Sequence, residues 1–244
     1  MPTLPPYLMR YKFPESMRPG DHEGMKVIAV TSDKGGMGKS TAALNISCAA
    51  AEDGYEVAVL DLDPQASVGR WARVRKKQGL PPRPLAETCV PIDVEDRLAE
   101  LEQAGADLVF LDTAGRDNNA ITAAIGASDL ILIPCHPTDL ELSTLGPTLG
   151  RLRADNKPHY VLLIDWSAGA TRRRRDATQA ISRAGGRVVP VPYTHRADYR
   201  LALENGQGVT EFEPTQTAAR EIRGVWQWMK EALSLEKATS GKAA

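Results

Sequence analysis

The chain has 244 residues, 42% of them hydrophobic and 25% charged, with a formal net charge of −1. That length suits one sizeable α/β domain, and the near-neutral balance excludes a global basic field, so any nucleic-acid surface must be a local patch. No apolar run approaches the roughly 20 residues that span a bilayer, the N-terminus lacks the apolar core of a secretory signal, and Cys48, Cys89 and Cys135 have no metal-binding spacing and read as small buried residues of a reducing cytosol.

Residues 1–24 carry Pro2, Pro5, Pro6, Pro14 and Pro19 and no clear period, so they read as an extended or poorly ordered arm. Met25–Thr31 is mostly apolar, as a strand covered on both faces must be. Asp33-Lys34-Gly35-Gly36-Met37-Gly38-Lys39-Ser40-Thr41 comes next, and then a helix-compatible run from Ala42 to Glu52 that glycine stops at Gly54. A strand, a glycine-rich turn ending in Gly-Lys-Ser and a helix are the context of a phosphate-binding loop. Small glycines let backbone N–H groups converge on an anion, and the helix N-terminus adds its partial positive charge. In such a loop Lys39 reaches the β/γ-phosphates and the Ser40 hydroxyl ligates Mg²⁺. Asp33 stands where the general pattern has its first glycine, with a second lysine, Lys34, directly after it.

Val57–Leu60 is the second strand and runs into Asp61-Leu62-Asp63-Pro64-Gln65. Acidic residues at the C-terminal end of a parallel strand face the same crevice as the loop, where they handle Mg²⁺ or water. Ser67–Gln78 reads as a helix made basic by Arg70, Arg73, Arg75, Lys76 and Lys77, with Trp71 among them; a solvated face is the first reading and a phosphate-backbone contact the second. A proline-rich connection leads to a short strand over Leu85–Val90. Val94, Leu98 and Leu101 then mark an amphipathic helix over Val94–Ala104. Leu108-Val109-Phe110-Leu111-Asp112 has the Walker B shape, a buried strand delivering one carboxylate toward Mg²⁺. Thr113-Ala114-Gly115 gives a small turn placed to sense a γ-phosphate.

Leu130–Pro134 is the next buried strand, and Asp139–Ala154 a helix with an expected kink at Gly146-Pro147. Tyr160–Asp165 is a further strand. After a loop at 166–170, Thr171 is placed to cap a helix that opens with Arg172-Arg173-Arg174-Arg175. Four consecutive arginines spread around most of a turn, so they cannot all face the core; a solvated turn, DNA-phosphate binding and a protein partner stay open as readings. Arg187–Pro192 reads as the last strand, and Tyr199–Asn205 as a helix closed by Gly206. His195 reads as a surface histidine, and His136 and His159 receive no role. A terminal helix capped by Thr215 or Thr217 shows one apolar face of Ile222, Val225, Trp226, Met229 and Leu233, with Glu221 and Glu231 on its polar face. Packing onto the sheet is the first reading of that face. Residues 238–244 read as a frayed tail.

Strands alternating with helices from residue 25 predict a doubly wound, mostly parallel α/β sheet over 25–237. The two-lysine loop, Asp61–Gln65, the strand ending in Asp112 and the stretch Arg196…Tyr199…Ala202…Gly206 resemble the deviant Walker A ATPases of the ParA/MinD type, most of all short plasmid-partition ParA proteins. The resemblance implies a cytoplasmic, nucleoid-associated ATPase that sandwiches ATP in a homodimer, binds double-stranded DNA nonspecifically and answers to a ParB-like adaptor. It implies that Lys34 contacts the nucleotide of the other subunit, and that Gly35, Gly36, Met37, Gly38, Lys39, Ser40 and Thr41 cradle the phosphates. Asp63 would orient water, Asp61 and Asp112 would serve the magnesium shell, and Asp165 and Pro192 would flank the base. Arg172–Arg175 and Arg200 are the DNA-contact candidates. A MinD-like membrane-surface role through residues 217–237 and an ATP-dependent metabolic enzyme are the alternatives.

Overall fold

The computed structural model describes residues 24–115, 117–165 and 171–235. The remainder of the expected arm, the loop at 166–170, the expected tail and the side chains of Asp165 and Thr171, with the cap expected of Thr171, lie outside the described residues.

Among the described residues, seven strands form one sheet in the order β3-β2-β4-β1-β5-β6-β7: β1 Lys26–Val30, β2 Val57–Asp61, β3 Leu85–Thr88, β4 Leu108–Asp112, β5 Leu130–Cys135, β6 His159–Asp165 and β7 Tyr193–Thr194. Every pairing among them is parallel. The central strands β1, β2, β4 and β5 are buried from end to end apart from Lys26, as their unbroken apolar runs require. The described residues also form nine helices that cover the two faces: α1 Lys39–Glu52, α2 Ser67–Lys77, α3 Val94–Gln103, α4 Asn118–Ala127, α5 Asp139–Ala154, α6 Thr171–Arg183, α7 Ala197–Glu204, α8 Val209–Phe212 and α9 Thr217–Ala232. One apolar core joins the sheet to α1, α2, α7, α8 and α9, and the other joins it to α3, α4, α5 and α6. This is the doubly wound arrangement, and it brings the C-terminal ends of the strands to one rim.

Several expectations are corrected. The apolar run Arg187–Pro192 does not pair as a strand. Val188 makes an isolated bridge to Val161, and the edge strand comes after the run at Tyr193–Thr194. Pro190 and Pro192 have no N–H to give to a ladder. The Arg174 guanidinium ties the segment to α6 by donating to the carbonyls of Val189 and Val191 at 3.1 and 2.9 Å. Arg75 does not belong to a solvated face: it is 3% exposed and forms a two-pronged ion pair with Glu211. Glu221 does not lie on a polar face either. It is 9% exposed and accepts hydrogen bonds from Thr194, Arg196 and Tyr199, tying α9 to β7 and α7. The N-cap of α9 is Gln216, with no side-chain cap from a threonine. Helices α4 and α8 have no counterpart in the sequence reading, although Asp117 carries an N-cap signal, its carboxylate accepting from the N–H groups of Asn119 and Ala120. The helix with Pro147 inside it runs as one element from Asp139 to Ala154.

Candidate functional site

The loop between β1 and α1 forms because its glycines adopt backbone shapes that other residues resist. Gly36 and Gly38 both sit at φ +76°. Gly38 is also the N-cap of α1, and Ile164 at the end of β6 lies 3.3 Å from where a Cβ on it would stand. Gly115 is required for a different reason: a Cβ there would come within 2.6 Å of the backbone of Lys34 and Gly35. The turn after β4 is thus laid directly against the loop.

Lys39 is 7% exposed and its ammonium donates to the Lys34 carbonyl at 3.0 Å and to Ser32 Oγ at 3.4 Å. Burial lowers its pKa, while Asp112, Asp63 and Asp33 pull the other way. Those two contacts hold the lysine over the loop, where an incoming polyanion offers it better partners. Lys34 is partly exposed and lines two cavities; its ammonium has no hydrogen bond or ion pair among the described residues.

Asp61 and Asp112 sit opposite each other in register at the ends of β2 and β4. Both are buried, yet they are used differently. Asp61 accepts from the N–H groups of Asp63 and Val68 at 3.1 and 2.8 Å and from Gly69 at 3.4 Å, so it fastens the turn and the start of α2. Burial still raises its pKa, against those hydrogen bonds. Neither oxygen of Asp112 has a partner at hydrogen-bond geometry among the described residues, and burial pushes its carboxyl up to about 7 although the Ser40 hydroxyl beside it pulls the other way. Two orphaned carboxylate oxygens beside a serine hydroxyl form a hard-oxygen donor set, which fits a small divalent cation such as Mg²⁺. Asp63 is half-buried, with one oxygen accepting from Gln65 N at 2.8 Å.

Gly35–Thr41 and Asp63 line a cavity of about 810 Å³ that continues between Trp71 of α2 and Leu203 of α7, with Arg200 on its rim. A second open cleft, of about 1040 Å³, adjoins it at Gly35, Asp63 and Gly115 and is lined further by Lys34 and the first residues of α4. The sequence reading assigned no role to Asp117, Asn118 and Asn119, which line this cleft. Pro192 is exposed and is not among the described residues lining either cavity. It directly precedes β7, whose Tyr193 pairs with Ile164 beside the loop. Arg172, Arg173, Arg175 and Arg200 are exposed, whereas Arg174 is committed to the fold as above. His195 is exposed; His136 bonds to the Ile164 carbonyl, and His159 is buried against the Lys157 carbonyl. Cys48 and Cys135 are buried, and Cys89 is half-buried.

A doubly wound parallel sheet carrying a Gly-Lys-Ser loop and a buried aspartate on the neighbouring strand defines a P-loop nucleotide-binding protein. The chain belongs to the CobQ/CobB/MinD/ParA nucleotide binding domain family, whose match spans residues 28–207, and its relatives put it with the ParA/MinD-type positioning ATPases within that family. It is 29% identical over 209 residues to "Maintenance of carboxysome distribution protein A" of Halothiobacillus neapolitanus, covering 81% of this chain and 93% of that protein. It is 31% identical over 200 residues to "Protein ParA" of Rhizobium radiobacter, covering 79% and 88%. Among solved structures, the septum site-determining protein MinD of Pyrococcus horikoshii, complexed with Mg-ADP, superposes with a TM-score of 0.67 at 15% identity over 85% of this chain and 97% of that one.

Proposed function

We propose that this protein is an ATP-hydrolysing dimerisation switch that positions a large cargo by nucleotide-gated, nonspecific binding to double-stranded DNA. The observation that carries this reading is Lys34. Its backbone is held by the loop, but its ammonium finds no partner among the described residues of its own chain. A cation held ready beside a phosphate site has a use if a second subunit's nucleotide completes it. Two monomers would then face each other across the open cleft, with ATP between them. Supplying the lysine in trans couples hydrolysis to dimerisation, as an arginine finger does.

Within one site, Gly35–Thr41 would cradle the phosphates and Lys39 would leave the Lys34 carbonyl for the β/γ-phosphates. Asp63 would orient the attacking water. Ser40 and Asp112 would hold Mg²⁺, with Asp61 behind them. When bound, Mg²⁺ neutralises charge on the phosphates, which is most of what phosphoryl transfer asks of a protein. Asp165, the last residue of β6, and Pro192, just before the paired strand β7, would flank the base. Arg172, Arg173, Arg175 and Arg200 would contact DNA phosphates. A ParB-like adaptor or cargo protein would speed hydrolysis and end the cycle. The alternative of a membrane-surface helix at 217–237 finds little apolar surface to work with, since Ile222, Val225, Trp226 and Met229 are buried.

The test is binding to random-sequence duplex DNA with ATP, ADP or no nucleotide, at several salt concentrations. Binding with ATP alone, weakening steeply as salt rises, is the expected result. Equal binding in all three states, or none in any, overturns the DNA part of the proposal. Loss of ATP-driven dimerisation in Lys34→Ala with nucleotide affinity kept is expected for the switch itself, and wild-type behaviour of that variant would refute it.

A further inference from the structure

Asp33 occupies the position at which the general phosphate loop has glycine, and its side chain has a partner. Its carboxylate, at the exposed surface of the loop, accepts a hydrogen bond from the half-buried Thr148 Oγ1, 115 residues along the chain. Thr148 sits on α5, on the opposite side of a small crevice from the loop. Its helix neighbours Leu145, Leu149 and Leu152 are buried in the core, so Thr148 is mounted on a helix anchored there. Asp33, Lys34 and Met37 form one wall of that crevice; Glu141, Leu145 and Thr148 form the other.

The next residue is Lys34, whose main chain is restrained on two further sides. Its carbonyl accepts from Lys39 Nζ and Ser32 Oγ, and its peptide lies against Gly115 with no room for a Cβ. The Lys39 contact is the one that nucleotide would take away, because the ammonium moves to the phosphates. The Asp33–Thr148 bond does not depend on that lysine. We propose that Thr148 is a positioning residue for Lys34: through Asp33 it fixes the limb of the loop from which Lys34 projects toward a second subunit. This inference rests on the dimerisation reading above. Its physical basis is that a flexible side chain reaches a remote phosphate productively only from a fixed base, since misplacement by about 1 Å can cost about 100-fold.

The experiment compares wild type, Thr148→Val and Thr148→Ser in the full chain. Valine keeps the shape and removes the donor, and serine restores the donor. ATP affinity is read by titration with Mg-ATP, dimerisation by light scattering with and without ATP, and hydrolysis as separate kcat and KM. For Thr148→Val, ATP affinity within about twofold of wild type, a melting temperature close to wild type, and a loss of at least about fivefold in both the dimer association constant and kcat are expected. Thr148→Ser should recover most of that loss. Asp33→Ala should show the same loss of dimerisation, with ATP affinity shifted as well because Asp33 also acts on Lys39, and the double variant should dimerise no worse than either single one. Wild-type dimerisation and kcat in Thr148→Val overturn the inference while leaving the switch intact. An equal loss of ATP affinity overturns it too, because the bond would then shape the phosphate site as a whole. If wild type does not dimerise with ATP, the switch falls and this inference falls with it.

Discussion

The ends of β2 and β4 hold the same residue at the same depth and in direct register, and they do opposite things. Asp61 spends both oxygens on backbone N–H groups of the segment after it. Asp112 has no partner at hydrogen-bond geometry for either among the described residues, only the Ser40 hydroxyl nearby. A buried carboxylate with satisfied oxygens belongs to the fold. One with orphaned oxygens stores a desolvation cost that only a cation or a proton relieves. The strand pattern that delivers them is alike, so the difference comes from the segment beyond each strand: a turn that folds back to donate after Asp61, and a glycine turn committed to the phosphate loop after Asp112.

The largest expected effect breaks the comparison at Asp112. Asp112→Asn should lower Mg-dependent ATP hydrolysis by at least about 100-fold, as removal of a group that organises transition-state charge does. It should leave the metal-free protein at pH 8 as stable as wild type or more stable, because an uncompensated buried charge is gone. Steady-state hydrolysis and chemical denaturation of one preparation check both halves. Asp61→Asn should behave in the reverse sense. It should cost about 1–3 kcal/mol of stability, because one oxygen that accepts from backbone N–H groups is replaced by an amide donor facing them, and it should lower hydrolysis less than Asp112→Asn does. If the two variants exchange these phenotypes, the division of roles is wrong.

Titration sharpens the same contrast. Burial raises Asp112 from 3.8 to about 7 in the folded chain. Between those values the native state holds a proton that the unfolded state has released. Without divalent cation, stability should therefore fall as pH rises from about 4 to about 7, with a slope from this one group of at most about 1.4 kcal/mol per pH unit, and should flatten above 7. Asp112→Asn should remove that part of the slope, and saturating Mg²⁺ with nucleotide should suppress it. Denaturant midpoints at half-unit pH intervals in chelator measure it; an unchanged slope in the asparagine variant would place the titration elsewhere.

How far these roles could be read from sequence depends on the range of the interactions. The loop at 33–41, the strand ending in Asp112 and the turn at 61–65 are written in contiguous residues with local geometry, and they stand where the spacing puts them. Arg75 and Glu221 were misread for the converse reason. Their helical positions look polar, and what buries them is Glu211, which lies 136 residues from Arg75, and the Thr194–Tyr199 hydroxyl pair, 27 and 22 residues from Glu221. The run Arg187–Pro192 has the composition of a strand, but its two prolines remove the donors a ladder needs. That Thr148 meets Asp33 across 115 residues is likewise invisible to periodicity.

The smallest expected effect applies the same logic to like residues one position apart. Arg172, Arg173 and Arg175 are exposed, and the ion pair of Arg172 with Asp176, at 3.8 Å on a solvated surface, is worth little. Arg174 instead donates to the carbonyls of Val189 and Val191, in a segment that does not pair as a strand. Arg173→Ala should therefore change stability by no more than about 0.5 kcal/mol. If this turn meets DNA, it should also lower ATP-dependent affinity and reduce the dependence of log K on log salt by about one phosphate contact. Arg174→Ala should do the reverse, costing about 1–2 kcal/mol through two lost hydrogen bonds with little change in the salt slope. A loss of DNA affinity in Arg174→Ala with stability intact would mean that its carbonyl contacts give way when the polyanion arrives. All four arginines would then form one phosphate-binding surface, and the edge segment before β7 would have to hold itself together without Arg174.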